Sequence, residues 1–284
     1  MVKRRGSGTA ALGGLPEAVA FLLVHGIIAA SYHGPARVPI VDMVLLDWTR
    51  MGRTYCLAGV VAEKGNYRVV RPLLSRYKTA PVRNAGWSPW LLDGHGRWEI
   101  FELVGPEPAE PQPPHVEDIW VRSLRPRRAL APVKQRCSIL AATAIRSDEP
   151  LFGNALANTR AAAFLSPGSG QRSLITVRVP ANQISFAAVR RQGAPEMDLR
   201  ATLVLPEVGQ RCLPVKDHFL LKTAEESGRP PNEQAALLSQ AVCTMGDPVA
   251  VRIGLSRSFP SSAERPGQCW LMADGFFSFS DPQP

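Results

Sequence analysis

The chain has 284 residues, and Gly and Pro contribute 23 and 26 of them. With 45% hydrophobic and 20% charged residues, that turn-rich composition excludes a coiled coil, a helical bundle and wholesale disorder. The net charge is +9, from 33 basic and 24 acidic residues, and 27 of the 33 are arginine. Arginine's planar, permanently charged fork suits phosphates and stacks on bases. A GC-rich coding bias accounts for the same excess, so charge alone does not name a partner.

Residues 1–40 read as an N-terminal extension. Lys3, Arg4 and Arg5 precede an apolar run from Ala18 to Ala30, the order of a secretory signal peptide. His25 and Gly26 interrupt that run, which favours a plain helix or a true start at Met43. From Asp42 the pattern turns to β. Short runs at 42–49, 54–62 and 66–71, rich in Val, Leu, Tyr and Trp, are separated by Gly52–Arg53 and Lys64–Gly65 and predict a meander. Pro72 is expected to end the third strand, because it has no N–H for the ladder. Residues 73–96 read as irregular, and strands follow at 97–103 and 117–124 with a Pro-rich stretch, 105–114, between them.

Residues 98–121 hold six acids and no Lys or Arg, whereas 122–136 hold six basic residues and no acid. The basic stretch RSLRPRRALAPVKQR reads as a loop or linker between two halves. Helical residues occupy about 138–165. Strands are then predicted at 173–179, 183–190, 198–205, 210–215, 249–257 and 269–277, with a short helix at 232–242 after two prolines. Five or six short strands per half is the texture of two small β-barrels. No residue-level repeat links the halves.

The run Val44 to Leu73, VLLDWTRMGRTYCLAGVVAEKGNYRVVRPL, resembles the opening of the prokaryotic dual OB-containing domain family, at Arg50, Gly52, Arg53, Cys56, Ala58, Gly59, Arg71 and Pro72. EPQPPHVEDIWV (Glu110 to Val121) is similar to that family's link into its next strand. VRIGLSRSF and GQCWLMADGFF are similar to its closing strand pair. The resemblance spans about 41–278. It implies a mainly β chain of two tandem OB-like barrels with one or two inserted helices, over 41–136 and 137–280. It also implies nucleic-acid binding without known catalytic residues or cofactor.

A barrel that binds a single strand needs aromatic faces for bases and a basic groove for the backbone. The candidates are Trp48 and Tyr55 for stacking, with Arg50, Arg53, Arg71, Arg125, Arg127, Arg128 and Lys134 for phosphates. Each has a structural alternative. The aromatics suit a core, and Arg53 and Arg71 could pair across strands with Asp42, Asp47 or Glu63. The linker cations could simply be solvated.

The rival from another class is an enzyme acting on nucleotides or nucleic acid through Asp47, Asp217 or His218. A third reading is an adaptor that binds protein. Catalytic patterns are weak: Ser75 to Lys78 spells S–x–x–K without a supporting motif, and Ser169 in PGSGQ lacks the lysine of a phosphate loop. Cys56, Cys137, Cys212, Cys243 and Cys269 form no CxxC and no zinc spacing, as expected of reduced residues in a cytoplasmic protein without a metal. No run of eighteen apolar residues predicts a membrane span.

Overall fold

A computed structural model describes residues 38–52, 54–79, 86–91, 94–146, 148–158, 162–190, 197–261 and 265–279, the side chains of 259–266 excepted. The chain divides into two units, Met1–Val38 and Pro39–Pro284. The expectations for the N-terminal extension, apart from its last residues, and for Arg53 lie outside the described residues.

The second unit is mainly β. Strands β1 (Ile40–Met51), β2 (Thr54–Glu63) and β3 (Asn66–Leu74) form the antiparallel meander. Its turns sit at Gly52 (φ 64°) and at Lys64–Gly65 (φ 50° and 82°), the left-handed region where glycine has no Cβ penalty. β4 (Glu99–Val104) pairs antiparallel with β1, and β5 (Glu107–Pro108) pairs with β6 (Asp118–Val121). β6 runs parallel to β3, and β7 (Ser123–Leu130) runs antiparallel to β4. Only Arg122 separates β6 from β7, so the order β5-β6-β3-β2-β1-β4-β7 curls back toward itself into a ring whose β7 edge is left unpaired among the described residues.

β8 (Ala157–Asn158) and β9 (Ala163–Leu165) flank a second ring. β10 (Leu174–Val179) continues through a single 3-10 turn into β11 (Ser185–Arg190), which pairs with β12 (Met197–Leu205) and so with β13 (Gly209–Pro214). β10 pairs antiparallel with β14 (Val249–Leu255), and β14 with β16 (Arg265–Ser278), beside which lies β15 (Phe259–Ser261). A parallel bridge, Val215 to Ala273, joins the end of β13 to β16. The two rings have one connectivity. In each, the first strand pairs with the second and fourth, and the third runs parallel to the fifth. The halves therefore repeat in topology where they do not in sequence.

Among the described residues three α-helices complete the unit: α1 (Val133–Thr143), α2 (His218–Glu226) and α3 (Pro231–Cys243). α2 and α3 lie between the third and fourth strands of the second ring. Asp217 caps α2, its Oδ1 accepting from the backbone N–H of Phe219 (3.0 Å) and Leu220 (3.3 Å), two donors that a helix start leaves without partners. No helix among the described residues is long and apolar enough to cross a membrane.

Each ring has its own apolar interior. Met43, Leu45, Trp48, Leu57, Phe101 and Leu103 fill the first, and Val177, Phe186, Leu203, Val251, Ile253 and Phe276 belong to the second. A third cluster forms a seam between them, where Val44, Leu46, Val60 and Trp98 meet Ile139 and Leu140 of α1 and Ala250 and Phe277 of the second ring. β1 serves both the first interior and the seam, which is why it is buried without a break from Val44 to Thr49.

Its alternation is shifted once. The register runs Leu45↔Gly59 and then Asp47↔Ala58, so Leu46 is the extra residue of a β-bulge. The bulge turns Trp48 into the ring and Asp47 onto the seam. Opposite the bulge, a Cβ on Gly59 would collide with the Val44 carbonyl and lie 2.7 Å from Met43 Cγ. Gly59→Ala is expected to destabilise by about 1–3 kcal/mol, the usual cost of overpacking, read as a shifted urea midpoint.

Three sequence expectations are corrected. The third strand passes through Pro72 to Leu74, because beyond Val70 it leaves β2 and pairs with β6 alone, where one ladder edge needs no N–H. The stretch 122–136 is β7 and the start of α1. β7 ends the sheet order, and its exposed arginines and Pro126 are the features of a strand edge protected against further pairing. The region 138–165 is helical only to Thr143, and its later part supplies β8 and β9.

Candidate functional site

Three places collect the candidate residues. The first is the end of β1 beside α2. Trp48 is 4% exposed, stacks on His218 (4.3 Å between ring centroids, 25° between planes) and meets Tyr55 and Phe219 edge-on. It is an interior side chain, so no base can reach it for stacking. Tyr55 is half-buried over the same group, and its backbone bridges to Trp87.

Arg50 is held by α2. Its two terminal nitrogens donate to Glu225 at 2.5 and 2.8 Å, and its Nε donates to His218 Nδ1 at 3.4 Å. The ion pair raises the Arg50 pKa and lowers that of Glu225. Burial, with the charges of Arg50 and Lys222, pushes His218 down to about 4, so its imidazole is neutral at pH 7. Arg50→Ala is expected to cost no more than about 1 kcal/mol, because the pair is partly exposed and solvent screens it. A thermal melt within a few degrees of the unmodified protein checks this.

The second place is the seam. Arg71 is 3% exposed, where the sequence offered it to phosphates. It donates to His115 Nδ1 (2.8 Å) and Ser173 Oγ (2.8 Å) and pairs with Asp118 (3.4 Å), itself paired with Arg257 at 2.7 Å. Glu117 accepts from the Ser173 N–H (2.6 Å), the Ser173 hydroxyl (2.8 Å) and the Leu174 N–H (3.2 Å). Arg71 thus joins the rings, since Ser173 directly precedes β10.

The residues of the enzyme reading are held in the same way. Asp47 accepts from Arg252 Nε at 3.1 Å and from its Nη2 at 2.7 Å, and both side chains are fully buried. Asp217 caps α2 and pairs with Arg97. Burial pushes the Asp217 carboxyl up, against the pull of Arg97. Lys78 is paired with Glu107, and the Ser169 hydroxyl donates to the Ser166 carbonyl within a turn. Among the described residues no group of three or more His, Cys, Asp or Glu is placed to hold a metal ion. Neither Arg252 nor Asp274 stood out in the sequence, because a lone charge inside a hydrophobic strand carries no local pattern.

The third place is the outer face of β7 and the start of α1. Arg127 pairs with Asp42 (2.7 Å) and Glu102 (3.3 Å), and is thereby a cross-strand structural residue. Arg125 lies opposite Glu102 in the register, but Arg127 takes that carboxylate. Arg125, Arg128 and Lys134 are exposed and carry no ion pair among the described residues. Leu130 and Val133, both exposed, lie between them. Elsewhere on the first ring Trp90 is 76% exposed, the most accessible large apolar side chain described.

No family model matches the chain, and no curated protein does. Among solved structures, that of a murine DNA-binding protein bound with double-stranded DNA aligns over 84% of this chain and 96% of its own. Identity there is 8% and the TM-score 0.27, a likeness too loose to carry fold or function across.

Proposed function

We propose that this is a non-enzymatic, cytoplasmic protein that binds single-stranded nucleic acid on two tandem OB-like barrels. The observation that carries the reading is the set of three exposed cations without acidic partners, Arg125, Arg128 and Lys134, on one strand and the helix that follows it. Arg and Lys in that state are free to replace the counterions of a phosphate backbone. Two further features support it. The five-strand connectivity shared by the two rings supports an OB-like reading, and Trp90 offers an uncovered ring for a base to stack on.

The test is an oligonucleotide titration at two salt concentrations. Affinity should be sequence-tolerant and fall as salt rises. The triple replacement Arg125→Ala, Arg128→Ala, Lys134→Ala should weaken binding to every sequence. It should also reduce the slope of log K against log salt by up to about two, at about 0.7 per phosphate contact on a single strand. No binding at low salt would remove the proposal and leave the adaptor, with Leu130 and Val133 as the centre of a protein contact.

A further inference from the structure

We propose that the cavity at the seam is a hydration and proton-binding site, in which one or two waters bridge Arg71 Nε–H to Asp274 Oδ1 and Asp274 is the neutral acid. The cavity measures about 30 Å³, and its polar lining includes Asp47, Thr49, Cys56, Arg71, Arg257 and Asp274. A water needs roughly 10–15 Å³ on that measure and at least two polar partners. Both conditions are met. Arg71 Nε and Asp274 Oδ1 are buried and have no partner among the described residues, and both belong to side chains that line the cavity. A buried donor and acceptor left unpaired are destabilising, and a bridging water satisfies both.

Burial and the carboxylates around Asp274 favour its neutral form over the pull of Arg71 and Arg252. From β1 it faces Asp47, from β2 Cys56, from β3 Arg71, from β14 Arg252 and from the start of α2 Asp217. Arg257 lines the same cavity, and Asp118 and Glu117 lie beyond these. Arg252 is taken by Asp47, Arg97 by Asp217, and Arg71 and Arg257 by Asp118, while Glu117 is held by Ser173 and Leu174. Four guanidiniums thus stand against four other carboxylates, and Asp274 has no cation of its own. Its carboxyl packs against Gly254, where a Cβ would collide with Oδ2 and lie 2.9 Å from Cγ. Burial first, and the charge of Asp47 second, push its pKa up to about 8.

An unfolded aspartate titrates near pH 4. Between pH 4 and 8 the folded protein therefore holds a proton that the unfolded chain has lost. This group's contribution to stability declines as pH rises through that window and levels off above it. Infrared spectroscopy of the unmodified protein from pH 6 to 9 should show a protonated-carboxyl carbonyl band that fades around pH 8 and is missing in Asp274→Asn. That variant keeps the shape without the charge, and its melting temperature should fall less between pH 6.5 and 8. A crystal structure at pH 6 should place a water within hydrogen-bonding distance of both Arg71 Nε and Asp274 Oδ1. Absence of the carbonyl band at pH 7 in the unmodified protein, or a cavity without that water, would overturn the proposal.

Discussion

Replacing Asp47 by alanine is expected to destabilise the protein by about 3–5 kcal/mol, the cost of leaving a buried charge without its partner. Arg252 is fully buried and donates to Asp47 through Nε and Nη2, and its remaining contact is to Thr176 Oγ1 at 3.1 Å. Without the carboxylate, a guanidinium would sit in the seam with one neutral acceptor. The double replacement Asp47→Leu, Arg252→Met removes both charges and should recover most of the loss, because an apolar pair of similar volume carries no desolvation penalty. Urea unfolding of the single and double variants measures both quantities. A single-variant cost under about 1 kcal/mol would mean that water reaches Arg252 and that the pair behaves as a surface one.

Acidification should act through two histidines. His115 Nδ1 accepts from Arg71, and His218 Nδ1 accepts from Arg50. A guanidinium only donates, so a proton on either Nδ1 would face another cation. Burial, reinforced by Arg71 and Arg257, pushes His115 far below its usual range, and His218 lies at about 4. Both remain neutral in the folded protein, whereas an unfolded histidine binds a proton below about pH 6.5. The histidines' share of stability is therefore full above pH 6.5 and is lost as pH falls, against the gain that Asp274 contributes over the same range. His115 contributes about 1.4 kcal/mol per pH unit while it stays neutral. From pH 6.5 to 4.5 that amounts to about 3 kcal/mol, with a smaller share from the half-exposed His218. His115→Asn keeps an acceptor for Arg71 without a titrating ring. Relative to the unmodified protein, its stability read from urea midpoints should rise by about 3 kcal/mol between pH 7 and 4.5, and an unchanged difference would place that acid sensitivity elsewhere.

Most strands were legible because their signals are local. Gly52, Lys64–Gly65 and the Val- and Leu-rich runs between them mark β1 to β3 to within a few residues, and the strands of the second ring follow the same logic. The candidate site was legible only in part, and the bulge at Leu46 explains much of the shortfall. Strict alternation from Met43 would put Trp48 on the face of Val44 and Leu46, whereas one extra residue turns it into the ring. Arg71 likewise resembles any cation near a strand end until Ser173 and His115, 102 and 44 residues away, close around it. α2 went unpredicted although Asp217, a residue suited to capping, directly precedes it. In β7, the arginines and proline that mark a protected edge are the residues that mark a linker.

β1 is shared property, and that bears on how such a chain can be inherited. Met43, Leu45 and Trp48 belong to one barrel, while Val44, Leu46 and Asp47 belong to the boundary with the other. A piece ending before α1 would turn Val44, Leu46 and Val60 toward water and leave Asp47 without Arg252. Neither barrel is then a portable module. Recombination would have to carry both, and a change on one side of the boundary sets what the other side can tolerate.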